Sequence, residues 1–183
     1  MAAKIKRVEI SSDYFGIVAQ DDIKKGEILL KEKACLIKNL KLGDEKELTF
    51  QSLKLWAEKS KLNHRVIFDL FPRSIGGAIS RMSAFHTNDY YLSLERLCST
   101  NEELQHALIG EKIYCNMFKK PLPDNTWGLR LYHKASTFNH HNFPNALADI
   151  DTDSSIMTIT ADKDIIKGEV FIQYSEENLT FVR

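Results

Sequence analysis

The chain has 183 residues and 43% of them are apolar, which suits one domain built around a core. Lysine plus arginine and aspartate plus glutamate each number 25, so the formal net charge is zero and no global field favours direct nucleic-acid binding. No apolar run reaches the roughly 18 residues of a membrane-spanning helix, and the basic N-terminus lacks the apolar core of a secretory signal.

The cysteines, Cys35, Cys98 and Cys115, lie far apart in the sequence. They form no C-x-x-C pair, so the sequence predicts neither a zinc cluster nor a disulfide framework. This cysteine usage indicates a reduced, intracellular compartment, either nucleus or cytoplasm.

Two nine-residue segments, 19–27 and 161–169, both read A-x-x-D-I-x-K-G-E. Short β-branched or apolar runs flank each segment, and each contains a glycine that can adopt positive φ. The pattern therefore predicts strand, turn and strand at both places. Two unrelated hairpin turns of similar composition are the alternative interpretation.

Between these segments the periodicity changes to that of a helix, and residues 45–112 are predicted to form a helical insert within a single domain, 1–183. The amphipathic stretch Glu47–Leu62 places Phe50, Leu53, Trp56 and Ala57 on one face. The further predicted features are helices at Val66–Phe71 and Tyr90–Cys98, a break at Gly76–Gly77, and a capping box at Ser99–Glu102 that opens another helix.

The last third of the chain holds the most informative motifs. An Asn139-His140 pair precedes Pro144-Asn145, and a short apolar strand after Gly168-Glu169 ends at Tyr174. Alone, an Asn-His pair usually indicates an Asx turn, and a tyrosine at a strand end usually caps a sheet. In this order and separation, the motifs resemble the C-terminal half of the SET-domain lysine methyltransferases.

The resemblance covers about 10–40 and 113–175, and the paired A-x-x-D-I-x-K-G-E segments match turns found near each end of that family. Asn116-x-Phe118 and the stretch 128–136 are similar to the SMYD-like branch, although the zinc-finger insertion of that branch is missing. For Asn116, an alternative is a position at a strand edge beside a buried Phe118.

The resemblance implies an α+β SET fold, which is β-clip-like. Its features are several small, mostly antiparallel sheets, a helical insert packed on one side, and a pseudoknot near the C-terminus. In that fold the C-terminal segment passes under a loop formed earlier in the chain. This arrangement would bring Asn139-His140 beside Tyr174.

The resemblance also implies S-adenosylmethionine as cofactor and protein-lysine N-methylation as activity, with an exposed lysine of a histone or non-histone protein as substrate. Tyr174 would be the catalytic residue. Asn139 would bind the amino-acid part of the cofactor, and His140 would present main-chain groups to the adenine. The cofactor-binding residues implied by the resemblance are Tyr14, Phe15, Gly16, Asn116, Ser136, Phe138, Asn139 and His140.

Two departures from the family leave other functions open. Tyr14 stands where the family has the first glycine of a G-x-G cofactor loop, and the nine residues after Tyr174 contain no cysteine-rich zinc segment. The alternatives are a non-catalytic SET module that binds protein, with or without cofactor, and a catalytic chain whose lysine channel is completed by a partner subunit. The sequence also leaves open whether the protein forms a homo-oligomer.

No metal site is predicted. Adjacent residues such as His140-His141 cannot readily chelate one ion. The acidic stretch Asp149–Asp153 begins like a calcium loop, but Ser154 and Thr160 stand where that loop needs glycine and glutamate. A solvated acidic loop is the interpretation that remains.

Overall fold

The computed structural model describes most of the β-rich parts of the chain and a smaller share of the predicted helical insert. The described residues are 4–11, 14–41, 50–63, 66–67, 70, 109–110, 112–140, 144–169, 172–175 and 180–181. No helix among these residues is long and apolar enough to cross a lipid bilayer.

The strands are short and fall into three sheets. In chain order the elements are β1 (Ile5–Ser11), β2 (Tyr14–Ala19), β3 (Ile28–Lys33), β4 (Leu36–Lys41), α1 (Phe50–Lys59), β5 (Met117–Pro121), β6 (Thr126–Leu131), β7 (Asn139–His140), β8 (Ala146–Asp151), β9 (Ile156–Ala161), β10 (Ile172–Ser175) and β11 (Thr180–Phe181). A 3-10 turn at Ala135–Thr137 precedes β7.

Strands β1 and β2 form an antiparallel hairpin, and the other two sheets run in the orders β3-β9-β8-β10-β7 and β11-β5-β6-β4. All pairings are antiparallel except those that β10 makes with β7 and β8. Small, mostly antiparallel sheets with helical residues packed against one of them confirm the predicted α+β architecture.

The apolar residues divide into two buried clusters. In the five-stranded sheet, β8 and β9 alternate between buried and solvent-facing residues, as expected for strands with one face on a core. This face packs against the β1–β2 hairpin and against Phe118, Tyr132 and Phe138. The second cluster joins β4, β5 and β6 to α1 through Leu53 and Ala57, both fully or almost fully buried.

The predicted helix at Glu47–Leu62 is found as α1, which spans Phe50–Lys59. Leu53 and Ala57 are buried and Trp56 is half-buried, so the predicted apolar face is confirmed at these three residues. Residues 66–67 and 112–116 are also helical. The predicted features at Gly76–Gly77, Tyr90–Cys98 and Ser99–Glu102 lie outside the described residues.

The two segments that share the A-x-x-D-I-x-K-G-E sequence bind one another, and we call them the paired turns, 19–27 and 161–169. At their centre, Ile23 and Ile165 exchange both backbone hydrogen bonds, each 2.9 Å long. Both isoleucines are 1% exposed. Each turn is therefore the partner of the other, and the same contact occurs twice, as across a two-fold axis.

The shared residues of the paired turns occupy matching places in this contact. The Asp164 carboxylate accepts the backbone N–H of Lys25 at 2.9 Å, and the Asp22 carboxylate accepts that of Lys167 at 2.9 Å. The Lys24 side chain also donates to Asp164, which lowers the pKa of that carboxyl. Each aspartate thus completes the turn of the opposite segment.

The glycines of the paired turns give a matched pair of substitutions. Gly26 and Gly168 have φ of +84° and +88°, and a Cβ atom at either would meet nothing within 4 Å. Replacing either by alanine should lower the free energy of unfolding through the backbone alone, by about 1–2 kcal/mol. Urea unfolding should show that the two alanine variants lose equal amounts of free energy of unfolding.

Asparagine tolerates positive φ better than alanine, so Gly26→Asn and Gly168→Asn should each lose less stability than the matching alanine variant. A much larger loss at one glycine than at the other would contradict the two-fold equivalence of the turns.

Candidate functional site

Three of the predicted site residues, Asn139, His140 and Tyr174, come together in the backbone where β10 enters the five-stranded sheet. Strand β10 lies between β7 and β8 and runs parallel to both. Ile172 pairs with Asn139, and Gln173 pairs with His140. Tyr174 is the next residue and pairs with Leu147 on the other side. The backbone of Tyr174 therefore lies beside the Asn139-His140 strand.

Strand β7 stands at the end of its sheet. In the described part of the chain, β10 is its only neighbour, so one row of β7 backbone N–H and C=O groups is not paired within the sheet. A planar ring with donors and acceptors at its edge, such as adenine, can pair with such groups. The backbone at Asn139 and His140 is therefore suited to the predicted adenine contact.

Asn116 and Ser136 are 20 residues apart in sequence, and the structure brings them into contact. The Ser136 hydroxyl lies 3.2 Å from the main-chain oxygen of Asn116 and also contacts the main-chain oxygen of Tyr132. The Asn116 side-chain amide donates to the main-chain oxygen of Lys112 at 2.7 Å. Asn116 is 4% exposed, at the end of the helical residues 112–116 and not at a strand edge.

Phe138 connects this contact to β7. Its backbone N–H donates to Ala135 at 3.1 Å, and its extended conformation directs the chain from the 3-10 turn into β7. The Phe138 side chain is 3% exposed and packs in the first core cluster. Phe138 thus fixes the direction from which the chain reaches Asn139.

The segment Tyr14–Gly16, expected in a loop, forms the first residues of β2. Tyr14 pairs with Ser11 and Phe15 with Glu9, with a register irregularity between Glu9 and Ser11. Tyr14 and Phe15 belong to the strand because their backbones pair with β1. Strand β2 contacts the 3-10 turn Ala135–Thr137, so the hairpin lies on the segment that leads into β7.

Asn145 has a positioning role that the sequence analysis did not assign. It is 2% exposed, its amide donates to a carboxylate oxygen of Glu169 at 3.0 Å, and its main-chain oxygen accepts the N–H of Asp162 at 2.9 Å. Asn145 therefore fastens the start of β8 to the second paired turn, just before β10. In the sequence, the Pro144-Asn145 dipeptide was the feature that could have indicated this role of Asn145.

Arg130 is a second residue whose role the sequence did not reveal. It is 5% exposed, and its guanidinium donates to main-chain and side-chain oxygens of Lys38, Asn39, Leu129 and Ser155 at 2.9–3.2 Å. Burial lowers its pKa. These contacts tie β4 and β6 to the turn between β8 and β9.

The buried Tyr132 phenol and the partly buried Cys35 thiol are held in their neutral forms. Burial raises the pKa of the Tyr132 phenol above its usual value, and its hydroxyl donates to the main-chain oxygen of Ser155 at 3.3 Å. Burial also raises the pKa of the Cys35 thiol to about 11, and the thiol contacts the main-chain oxygen of Leu131. Neither group suits a base or nucleophile at neutral pH.

Metal ligation has no support in the part of the chain that the structure describes, where no three His, Cys, Asp or Glu side chains are grouped to hold an ion. In the acidic stretch, the Asp151 carboxylate accepts the backbone N–H of Asp153 at 3.0 Å and the hydroxyl of Ser154 at 2.6 Å. This carboxylate closes the turn between β8 and β9.

One family model matches most of the chain. A family model described as the SET domain matches residues 14–175. A search of curated proteins found no match. One similar solved structure is a candidate histone methyltransferase from Plasmodium falciparum, with 14% identity, a TM-score of 0.39, and coverage of 96% of this chain and 95% of that one.

Another similar structure is ctPRC2 in an autoinhibited conformation bound to S-adenosylmethionine. It is 13% identical with a TM-score of 0.45, and the match covers 99% of this chain and 16% of that chain.

Proposed function

The chain belongs to the SET domain family, and from this premise we propose that it is a protein-lysine N-methyltransferase that uses S-adenosylmethionine. The observation that carries the proposal is the position of β10 between β7 and β8, which sets the Tyr174 backbone beside Asn139 and His140. The substrate would be an exposed lysine of a histone or non-histone protein in the nucleus or cytoplasm.

S-adenosylmethionine, when bound, supplies an electrophilic methyl group on a sulfonium. On this proposal the Asn139 amide and the edge of β7 that faces away from β10 hold and orient the cofactor. Asn116 would contribute to the same site, and the 3.2 Å contact with Ser136 joins it to the 3-10 turn that precedes β7. The protein then acts mainly by aligning the lysine amine with the methyl group and the sulfur of the cofactor, which is the principal requirement of an in-line displacement.

The acceptor amine must be neutral to attack, and a free lysine has a pKa of about 10.4. A site that desolvates the ammonium lowers this pKa and favours the neutral amine. The Tyr174 hydroxyl would orient the amine and present an oxygen to the methyl group. A phenol hydroxyl suits this task because it competes poorly as a nucleophile at neutral pH.

Asn139 provides the test of cofactor binding. Loss of a hydrogen bond to a charged ligand group costs about 1.5–3 kcal/mol, so Asn139→Ala should weaken S-adenosylmethionine binding about ten-fold or more. Calorimetric titration of both proteins measures the difference. If the folded variant binds S-adenosylmethionine as tightly as the wild type, Asn139 is not part of the cofactor site. If the wild-type protein does not bind S-adenosylmethionine, the enzyme proposal is contradicted.

A non-catalytic SET module is the second candidate, and Tyr14 at the start of β2 favours it. If Tyr14 obstructs the cofactor, Tyr14→Gly should raise the affinity for S-adenosylmethionine. If the enzyme proposal is right, the same substitution should bring no gain. Should wild-type protein bind cofactor but transfer methyl only when a second protein is added, the lysine channel would be completed by a partner subunit.

A further inference from the structure

The 3-10 turn Ala135–Thr137 is held at its start by a carboxylate from a distant strand. Glu32, on β3, lies 102 residues before Lys134 in the sequence. Its carboxylate accepts the backbone N–H groups of Lys134 and Ala135 at 3.0 and 2.8 Å. These are the first N–H groups of the turn, which the turn itself cannot pair. Glu32 therefore supplies the acceptor that a capping residue usually supplies at the start of a helix.

The local sequence provides no such cap. Lys134 stands at the start of the turn and its side chain makes no capping hydrogen bond. Within the turn, the backbone N–H groups of Thr137 and Phe138 donate to Lys134 and Ala135 at 3.0 and 3.1 Å. Because so short a turn has few bonds of its own, and because a carboxylate is a stronger acceptor than a neutral oxygen, Glu32 contributes a large share of what fixes it.

The turn leads directly into the proposed cofactor site. Ser136 lies within it, Phe138 follows it, and β7 begins at the next residue, Asn139. The five-stranded sheet has β3 at one end and β7 at the other. Glu32 is fixed in β3 by pairing with Met157 of β9, which is 0% exposed. The first strand of the sheet thus holds the segment from which its last strand continues.

We propose that Glu32 is a positioning residue of the cofactor site, an inference that rests on the proposed function. Its carboxylate fixes the 3-10 turn and so the place at which the chain reaches Asn139 and His140. Glu32 acts through this turn and not through a contact of its own with S-adenosylmethionine. Residues that orient the groups around a bound ligand in this way often matter nearly as much as the groups themselves.

Calorimetric titration with S-adenosylmethionine tests the proposal by comparing Glu32→Ala with Asp151→Ala. Both variants lose a carboxylate that accepts backbone N–H groups, but Asp151 closes the turn between β8 and β9. We expect Glu32→Ala to weaken cofactor binding about ten-fold or more and Asp151→Ala to leave it unchanged. Urea unfolding measures the stability that each variant loses, so that an effect on affinity can be separated from general destabilisation.

Glu32→Gln is the conservative variant. One amide oxygen can accept both N–H groups, as a single oxygen of Glu32 does. Binding should therefore recover to within about three-fold of the wild type, since a neutral acceptor is somewhat weaker than a charged one. The proposal is overturned if folded Glu32→Ala binds as tightly as the wild type, if both alanine variants lose the same affinity, or if Glu32→Gln binds as weakly as Glu32→Ala.

Hydrogen exchange without cofactor tests the positioning separately from the proposed function. In Glu32→Ala the backbone amides of Lys134, Ala135 and Asn139 should exchange about ten-fold faster than in the wild type, because local opening becomes easier. Asp151→Ala should leave these amides unchanged. Unchanged exchange in Glu32→Ala overturns the role of Glu32 even if the wild type binds S-adenosylmethionine. Faster exchange in a protein that binds no cofactor supports the hold of Glu32 on the turn and contradicts only the proposed function.

Discussion

Tyr174→Phe is expected to lower the rate of methyl transfer by about 10²–10³-fold, the usual cost of losing one preorganised polar group at a reacting centre. The substitution keeps the ring and removes the oxygen that, in our proposal, orients the lysine amine. Cofactor affinity should change little, because in our proposal Asn139 and the β7 backbone hold the cofactor. Radiolabelled methyl transfer to basic peptides and to cell extract measures the rate.

Tyr132→Phe is the matched control for this experiment. The Tyr132 hydroxyl donates to the main-chain oxygen of Ser155 in the turn between β8 and β9. Its removal should cost about 1 kcal/mol of stability and leave the transfer rate largely unchanged. If Tyr174→Phe transfers methyl groups at the wild-type rate, or if the rate falls equally in both variants, the catalytic assignment of Tyr174 is contradicted.

Phe118→Ala should cause one of the largest losses of stability in this chain. Phe118 is 0% exposed, and its ring meets Tyr132 edge-on, with centroids 5.5 Å apart and planes at 80°. Truncating a buried phenylalanine typically costs about 3–5 kcal/mol. The total free energy of unfolding of a domain is about 5–15 kcal/mol, so this single substitution should remove a large share of it.

Phe118→Leu separates the loss of volume from the loss of the aromatic contact. Leucine keeps much of the apolar bulk, so we expect it to retain most of the stability that alanine loses. Denaturant unfolding of both variants gives the two values. A loss below about 1 kcal/mol for Phe118→Ala, far under the usual cost, would show that the core relaxes around the missing ring.

The local features of the fold could be predicted from the sequence because they depend on neighbouring residues. Short β-branched or apolar runs predicted the strands around the paired turns, and a period of 3.6 predicted the apolar face of α1 with Leu53 and Ala57. The glycines of the paired turns were expected to be able to adopt positive φ, and Gly26 and Gly168 have it. The C-terminal boundary was less accurate, since α1 ends at Lys59 and not at Leu62.

The long-range pairings could not be predicted from local pattern. Periodicity marks both paired turns as strand–turn–strand units but gives no sign that Ile23 and Ile165 pair with each other. The resemblance supplied the expectation that Tyr174 approaches Asn139 and His140. Arg130 also escaped prediction, because its partners are mostly oxygens of residues distant in sequence, and a lone arginine normally indicates a surface position.

Because each of the paired turns supplies hydrogen bonds that the other needs, the two turns must come together during folding. Lys24 and Asp164, which join them, are 140 residues apart in sequence. Closing so long a loop costs entropy before any contact offsets it, and neither turn has its full set of hydrogen bonds until the other arrives. We therefore expect slow folding, on the millisecond-to-second scale of domains rich in non-local contacts, with this closure among the last steps.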